Sequence, residues 1–254
     1  MSRRTATPYL GALCAALLAA IPATLPAARP PPALALPAGT RVGVVNLLDP
    51  EVTHFHASRQ IENSFLKTYT VNWSVSAMLL AAVKDRLGQL GLTPVPVVAS
   101  DALRRARESC FLDAALAKGL PKECRQLYAQ LAAAQDLMAI IALGPGRNDS
   151  AHAGGTRHKD LPEYLRGWCF VTGGPDPLPV LLNQTELLLV GVTASKAELI
   201  GRAWGGGGQN WTGYQAPPDL KAFSEQQLNQ LQPLYGAMLK QQADAALAPL
   251  QLAR

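Results

Sequence analysis

The chain has 254 residues, 48% of them hydrophobic and only 16% charged, where soluble domains average roughly 25% charge. A chain of this length can bury a core large enough to fold without a disulfide framework or a structural metal, and its hydrophobic content excludes wholesale disorder. Three of the 23 basic residues (Arg3, Arg4, Arg29) lie in residues 1–35, which hold no acid, so the remainder carries 20 basic against 18 acidic residues; no basic run or stripe marks a nucleic-acid or anionic-membrane surface.

Arg3 and Arg4 precede the 12-residue apolar run Leu10–Ile21, short of the about 20 residues that a bilayer span needs. A charged start, a short apolar centre and small-x-small sites read as a secretory signal peptide. Ala33-Leu34-Ala35 is the preferred processing site, Ala23 and Ala28 are alternatives, and an uncleaved anchor is the competing reading. The expected layout is a signal peptide over 1–35 and one domain over 36–254, exported to the periplasm or the medium, with no stable membrane span after processing. Export implies an oxidising compartment. Cys110 and Cys124 lie on consecutive helical segments broken at Gly119-Leu120-Pro121 and are expected to pair, the alternative being Cys169 with one of them. Cys169 falls in an apolar strand and reads as a buried, inert thiol. The absence of C-x-x-C leaves a zinc knuckle and a thioredoxin motif unsupported.

Thr40–Leu48 is β-branched and apolar, ends at Asp49-Pro50, and predicts a buried strand. Residues 61–73 alternate loosely, as an edge strand would. Helical spacing runs from Val75 to Leu90, with Ser74 as N-cap and Gly91 at C′. Leu92–Ala99 is a strand confined to an edge by Pro94 and Pro96. Ser100-Asp101 caps a helix expected to reach Lys118, and another helix follows Pro121. Asp136–Leu143 predicts a central strand, residues 144–163 a polar loop, and 164–172, 178–191 and 192–204 three further strands. Ser224–Gln227 fits a capping box with Phe223 as its staple residue, opening a helical segment that Pro233 must kink or split. Helices between early strands and short turns between later ones predict a single α/β domain. Its mixed sheet is parallel among the early strands, antiparallel among the later ones, flanked by helices, and followed by a C-terminal helical segment.

Four histidines fall in two predicted loops: His54 and His56 after the first strand, His152 and His158 after the central one. Parallel strands would send both loops off one edge of the sheet, where open α/β folds bind ligands. His54, His56, His152 or His158, with Asp49, then supply ligands for a divalent transition metal such as zinc; the competing reading is four exposed loop histidines and no cofactor. Ser64-Phe-Leu-Lys67 matches S-x-x-K, the nucleophile motif of penicillin-recognising enzymes, without their other motifs, and reads as a chance match. Trp204, Trp211 and Tyr214 flank a glycine-rich stretch. They read either as a binding surface for a sugar or a partner, or as a connector packed on the core.

The strand Val42-Gly-Val-Val45, the helix ending at Leu90-Gly91, the strand Leu92–Val98, the run Gln135–Gly144 and the strand-turn-strand Val190–Ile200 together resemble a family of periplasmic accessory domains. Its members include the curli secretion channel subunit, the lipoprotein activators of penicillin-binding proteins and the amino-terminal domain of the Tol translocation protein. The family's lipid-attachment cysteine has no counterpart here. The resemblance implies a non-catalytic envelope domain that docks on other proteins. The expectation is thus an exported, contact-type protein with an envelope protein as partner and no nucleic acid; the alternative is a metal-binding protein or metal-dependent hydrolase built on the histidines.

Overall fold

Both faces of Arg41–Asn46 (β2) are buried, which puts this strand inside a sheet rather than at its rim. It lies between Thr93–Val97 (β5) and Ala139–Pro145 (β6), parallel to both. Pro31–Arg254 forms one folded unit, and the computed structural model describes residues 33–58, 60–113, 119–146, 165–173, 179–193 and 196–253.

The sheet is organised by one strand, Val180–Thr193 (β8), 14 residues long. One of its edges pairs antiparallel first with Gly167–Gly173 (β7) and then with β6. The other edge pairs antiparallel with Gly208–Asn210 (β10) and then with Lys196–Trp204 (β9). Glu51–Ala57 (β3) runs parallel to β7 and antiparallel to Phe65–Thr70 (β4). Two half-sheets therefore share β8: β5-β2-β6-β8-β9 and β4-β3-β7-β8-β10. The chain crosses from the first half to the second three times, at 47–50 between β2 and β3, between β6 and β7, and at 205–207 between β9 and β10. The mixed sheet is as the sequence predicts, with one addition: the β3–β4 pair is an antiparallel hairpin early in the chain.

Helices cover both faces of the first half-sheet. On one side lie Val75–Gln89 (α1) and the C-terminal segment. Ser74 caps α1 by accepting from the Ala77 amide. On the other side lie Asp101–Arg105 (α2), a π turn over Ser109–Asp113, and Lys122–Gln135 (α3). The helix expected to reach Lys118 is interrupted after Arg105 by a turn at Ala106 and by this π turn, and residues 114–118 lie outside the described residues. The wider π turn lets Cys110 and Phe111, adjacent in sequence, both be fully buried. Cys110 is joined to Cys124 of α3 with Cα atoms 5.5 Å apart, while Cys169 is buried and free. Gly144 is required by this packing, because a Cβ there would sit 2.4 Å from the Phe111 ring.

The C-terminal segment splits into Glu225–Asn229 (α4) and Leu231–Ala246 (α5) at Gln230. Pro233 occupies the first turn of α5, where its missing N–H has no intrahelical partner to lose. The capping box at Ser224–Gln227 forms, and Phe223 is buried. Leu34–Leu36 (β1) pairs parallel with Leu250–Leu252 (β11), so Leu34 and Ala35, read from sequence as the end of the leader, are paired residues. Among the described residues no helix is long and apolar enough to cross a membrane.

Candidate functional site

His54 and His56 belong to a strand, not to the loop expected after the first strand. The stretch Val-Thr-His-Phe-His alternates and is paired on both sides, by β4 and by β7. Alternation puts both imidazoles on one face, and the register sets them beside Thr172 of β7. The Thr172 hydroxyl lies 2.7 Å from His54 Nε2 and 2.9 Å from His56 Nδ1. One hydroxyl has one proton, so it donates to one imidazole and accepts from the other.

Around this bridge the side chains are aromatic. The His54 ring stacks on Phe170, with centroids 4.5 Å apart and planes 8° apart, and meets Phe65 and Phe223 edge-on at 5.1 Å. His54 is fully buried. Burial, then the neighbouring His56 and Lys67, lower its pKa from 6.5 to about 3, and burial also lowers that of His56. Both therefore stand as neutral imidazoles at neutral pH. A hydroxyl within reach of an imidazole is the geometry of an activated nucleophile, but Thr172 is only 3% exposed, so a reacting carbonyl would have to displace the surrounding rings. What the arrangement does is fasten β4: Phe65 and Tyr69 of that strand pack on His54, His56 and Phe223.

The other residues singled out from sequence are dispersed. Asp49 is paired with Arg107 at 2.8 Å and borders a cavity of about 120 Å³ where β2 gives way to β3, at the carboxyl ends of β2 and β6. Arg166 pairs there with Glu108. Both pairs are partly exposed and add at most about 1 kcal/mol each. β2 and β6 are parallel neighbours, so their exits share one end of the sheet, but His152 and His158 lie outside the described residues. Among the described residues no group of three or more His, Cys, Asp or Glu side chains could hold a metal ion.

Ser64 Oγ accepts from the Ser58 amide and Lys67 Nζ donates to the Lys221 carbonyl, so the two do not form a nucleophile–base pair. Trp211 is core, 2% exposed and edge-on to Phe170, with Tyr214 tilted against it; Trp204 is half-buried at the end of β9. Burial pushes the Cys169 thiol up to about 12, in keeping with an inert group.

The sheet's rims differ, and the edge strands read at 61–73 and 92–99 are two of them, β4 and β5. β5 is blunted by Pro94 and Pro96. β10 is three residues long. β9 bears exposed Lys196, Glu198 and Arg202, and the end of α5 crosses it so closely that a Cβ on Gly201 would sit 2.3 Å from the Ala246 carbonyl. β4 has six residues and no proline. The Val71 amide donates to the Pro50 carbonyl at 2.9 Å, so in this antiparallel pair Lys67, Tyr69 and Val71 turn their backbone groups toward β3. Leu66, Thr68 and Thr70 turn theirs outward. All three of those side chains are exposed. A groove of about 590 Å³ runs beside them, bordered by Thr68, Thr70, Phe223, Leu228 and Asn229.

No family model matches the chain, and no curated protein matches it. Among solved structures, the hypothetical protein CT253 from Chlamydia trachomatis is similar over 83% of this chain and 95% of its own, at 12% identity and a TM-score of 0.37. A likeness that distant assigns no property to this chain.

Proposed function

We propose that this is an exported protein of the cell envelope that works by contact rather than catalysis, and that it holds its partner by accepting an extended segment along β4. The observation that carries this reading is the six-residue, proline-free rim with outward backbone groups at 66, 68 and 70 and a groove beside it, where the other rims are short, proline-blunted or crossed by a helix end. An added strand gains affinity from main-chain hydrogen bonds and specificity from pockets for alternate side chains. The aromatic packing around His54 keeps β4 in place, which lowers the ordering cost of binding. The charged-then-apolar start and the Cys110–Cys124 pair support export. The resemblance to periplasmic accessory domains agrees with a docking role.

A photo-crosslinking residue at Thr68 tests this in intact cells, with the same residue at Thr93 on the β5 rim as control. The expected result is a discrete adduct at Thr68 alone, lost in Thr70→Pro, which removes an outward N–H while the melting temperature holds. No adduct at Thr68, or equal adducts at both positions, overturns the reading.

A further inference from the structure

Away from β4, a cavity of about 310 Å³ opens where β9 ends, at the small end of the range for ligand pockets. It lies between Trp204 with the glycines Gly205–Gly208 and the last turns of α5, and no charged side chain lines it among the described residues.

Its walls are built rather than slack. A Cβ on Gly205 would sit 2.3 Å from Asn183 Nδ2, one on Gly206 1.9 Å from the Trp204 ring, and one on Gly208 2.8 Å from Val180 Cγ1. Gly207 adopts φ +151°, a conformation that side chains disfavour. Gly205, Gly206 and Gly208 thus press peptide backbone against the sheet and the indole. Its floor is Gln242, which is 4% exposed. Gln242 Nε2 donates to the carbonyls of Thr185 (3.2 Å) and Ala203 (2.9 Å), and its Oε1 accepts from Asn183 Nδ2 at 3.2 Å. With its carboxamide so engaged, the floor is held in one orientation. Gln209 and Gln241, both exposed, stand at the rim. The indole Nε1 of Trp204 is shielded from water and has no hydrogen-bond partner among the described residues.

An ion would find no countercharge in this cavity, and a wholly apolar ligand would leave the carboxamides of Gln209 and Gln241 unanswered. A sugar ring answers both. Its C–H face packs on an indole, and its hydroxyls both donate to and accept from carboxamide and peptide groups. We propose that this cavity binds a neutral saccharide, with Trp204 as platform and Gln209 and Gln241 as hydrogen-bonding partners. The site is separate from β4, and its occupancy does not depend on the contact function proposed above.

Titration of the full chain with a panel of neutral oligosaccharides (gluco-, malto- and chito-trioses), followed by calorimetry and by the resonance of 5-fluorotryptophan at Trp204, tests it. The expected result is saturable binding of at least one member at up to millimolar concentration, insensitive to salt. Affinity should fall about tenfold or more in Trp204→Ala and severalfold in Gln241→Ala. Gln209→Ala and Gln241→Ala alter exposed side chains, so they read the site even if Trp204→Ala does not fold. Absence of saturable binding across the panel, binding that survives all three substitutions, or binding abolished by salt overturns the proposal.

Discussion

Acid should loosen the β4 rim through His54. Its imidazole is buried against Phe170, bound to Thr172, and held down to about 3 from 6.5, chiefly by burial. As pH falls below 6.5, the unfolded chain takes up the proton before the folded one does. The contribution of His54 to stability is therefore complete above pH 6.5, declines as pH falls, and is fully lost below pH 3. The whole window is worth up to roughly 5 kcal/mol, and the interval from pH 7 to pH 4.5 roughly 2.5 kcal/mol. That is a large fraction of the roughly 5–15 kcal/mol that stabilises a typical domain. Urea unfolding of the wild type and of His54→Phe at both pH values measures it. Phenylalanine keeps a ring on Phe170 and removes the titration; His56, whose pKa is also lowered, contributes with the same sign to both proteins. The wild type should lose about 2–3 kcal/mol more than the variant on acidification, and amide exchange in β4 should rise first. Equal losses in the two proteins would refute the argument from burial.

Two further outcomes are expected. Reduction of Cys110–Cys124, whose sequence separation is 14, or Cys110→Ser under denaturant titration, should cost about 3 kcal/mol through the freed loop; an unchanged midpoint would show that the cross-link adds nothing to α3 docking. Intact-mass measurement of exported protein should place the new amino terminus upstream of Leu34, after Ala23 or Ala28, because processing after Ala35 would cut the β1–β11 pairing; a terminus at Leu36 would show that this pairing is dispensable.

Local signals in the chain settled a good part of the fold. Val42–Val45 and Ala139–Leu143 are apolar and β-branched enough to demand a two-sided interior, and they are the parallel neighbours at the centre of the first half-sheet. Ser74 and Ser224 cap helices because their hydroxyls reach an amide three residues on. Pro94 and Pro96 forced β5 to a rim because proline has no N–H to donate, and a two-segment helical break was enough to place Cys110 opposite Cys124. None of this reaches beyond a dozen or so residues. The histidines read as a loop because Asp49-Pro50 ended the first strand and their surroundings are partly polar. Only pairing with β7, more than 100 residues on, turned 51–57 into an interior strand and gave two imidazoles one hydroxyl. The same distance hid the role of Trp211, which sequence left between surface and core and which packs on Phe170. The edge strand read over 61–73 is β4, but that it is the open rim depends on what covers β5, β9 and β10. Hydrophobic period and capping are properties of a segment. Register, shared partners and exposed edges are properties of pairs of segments, and tertiary packing decides those.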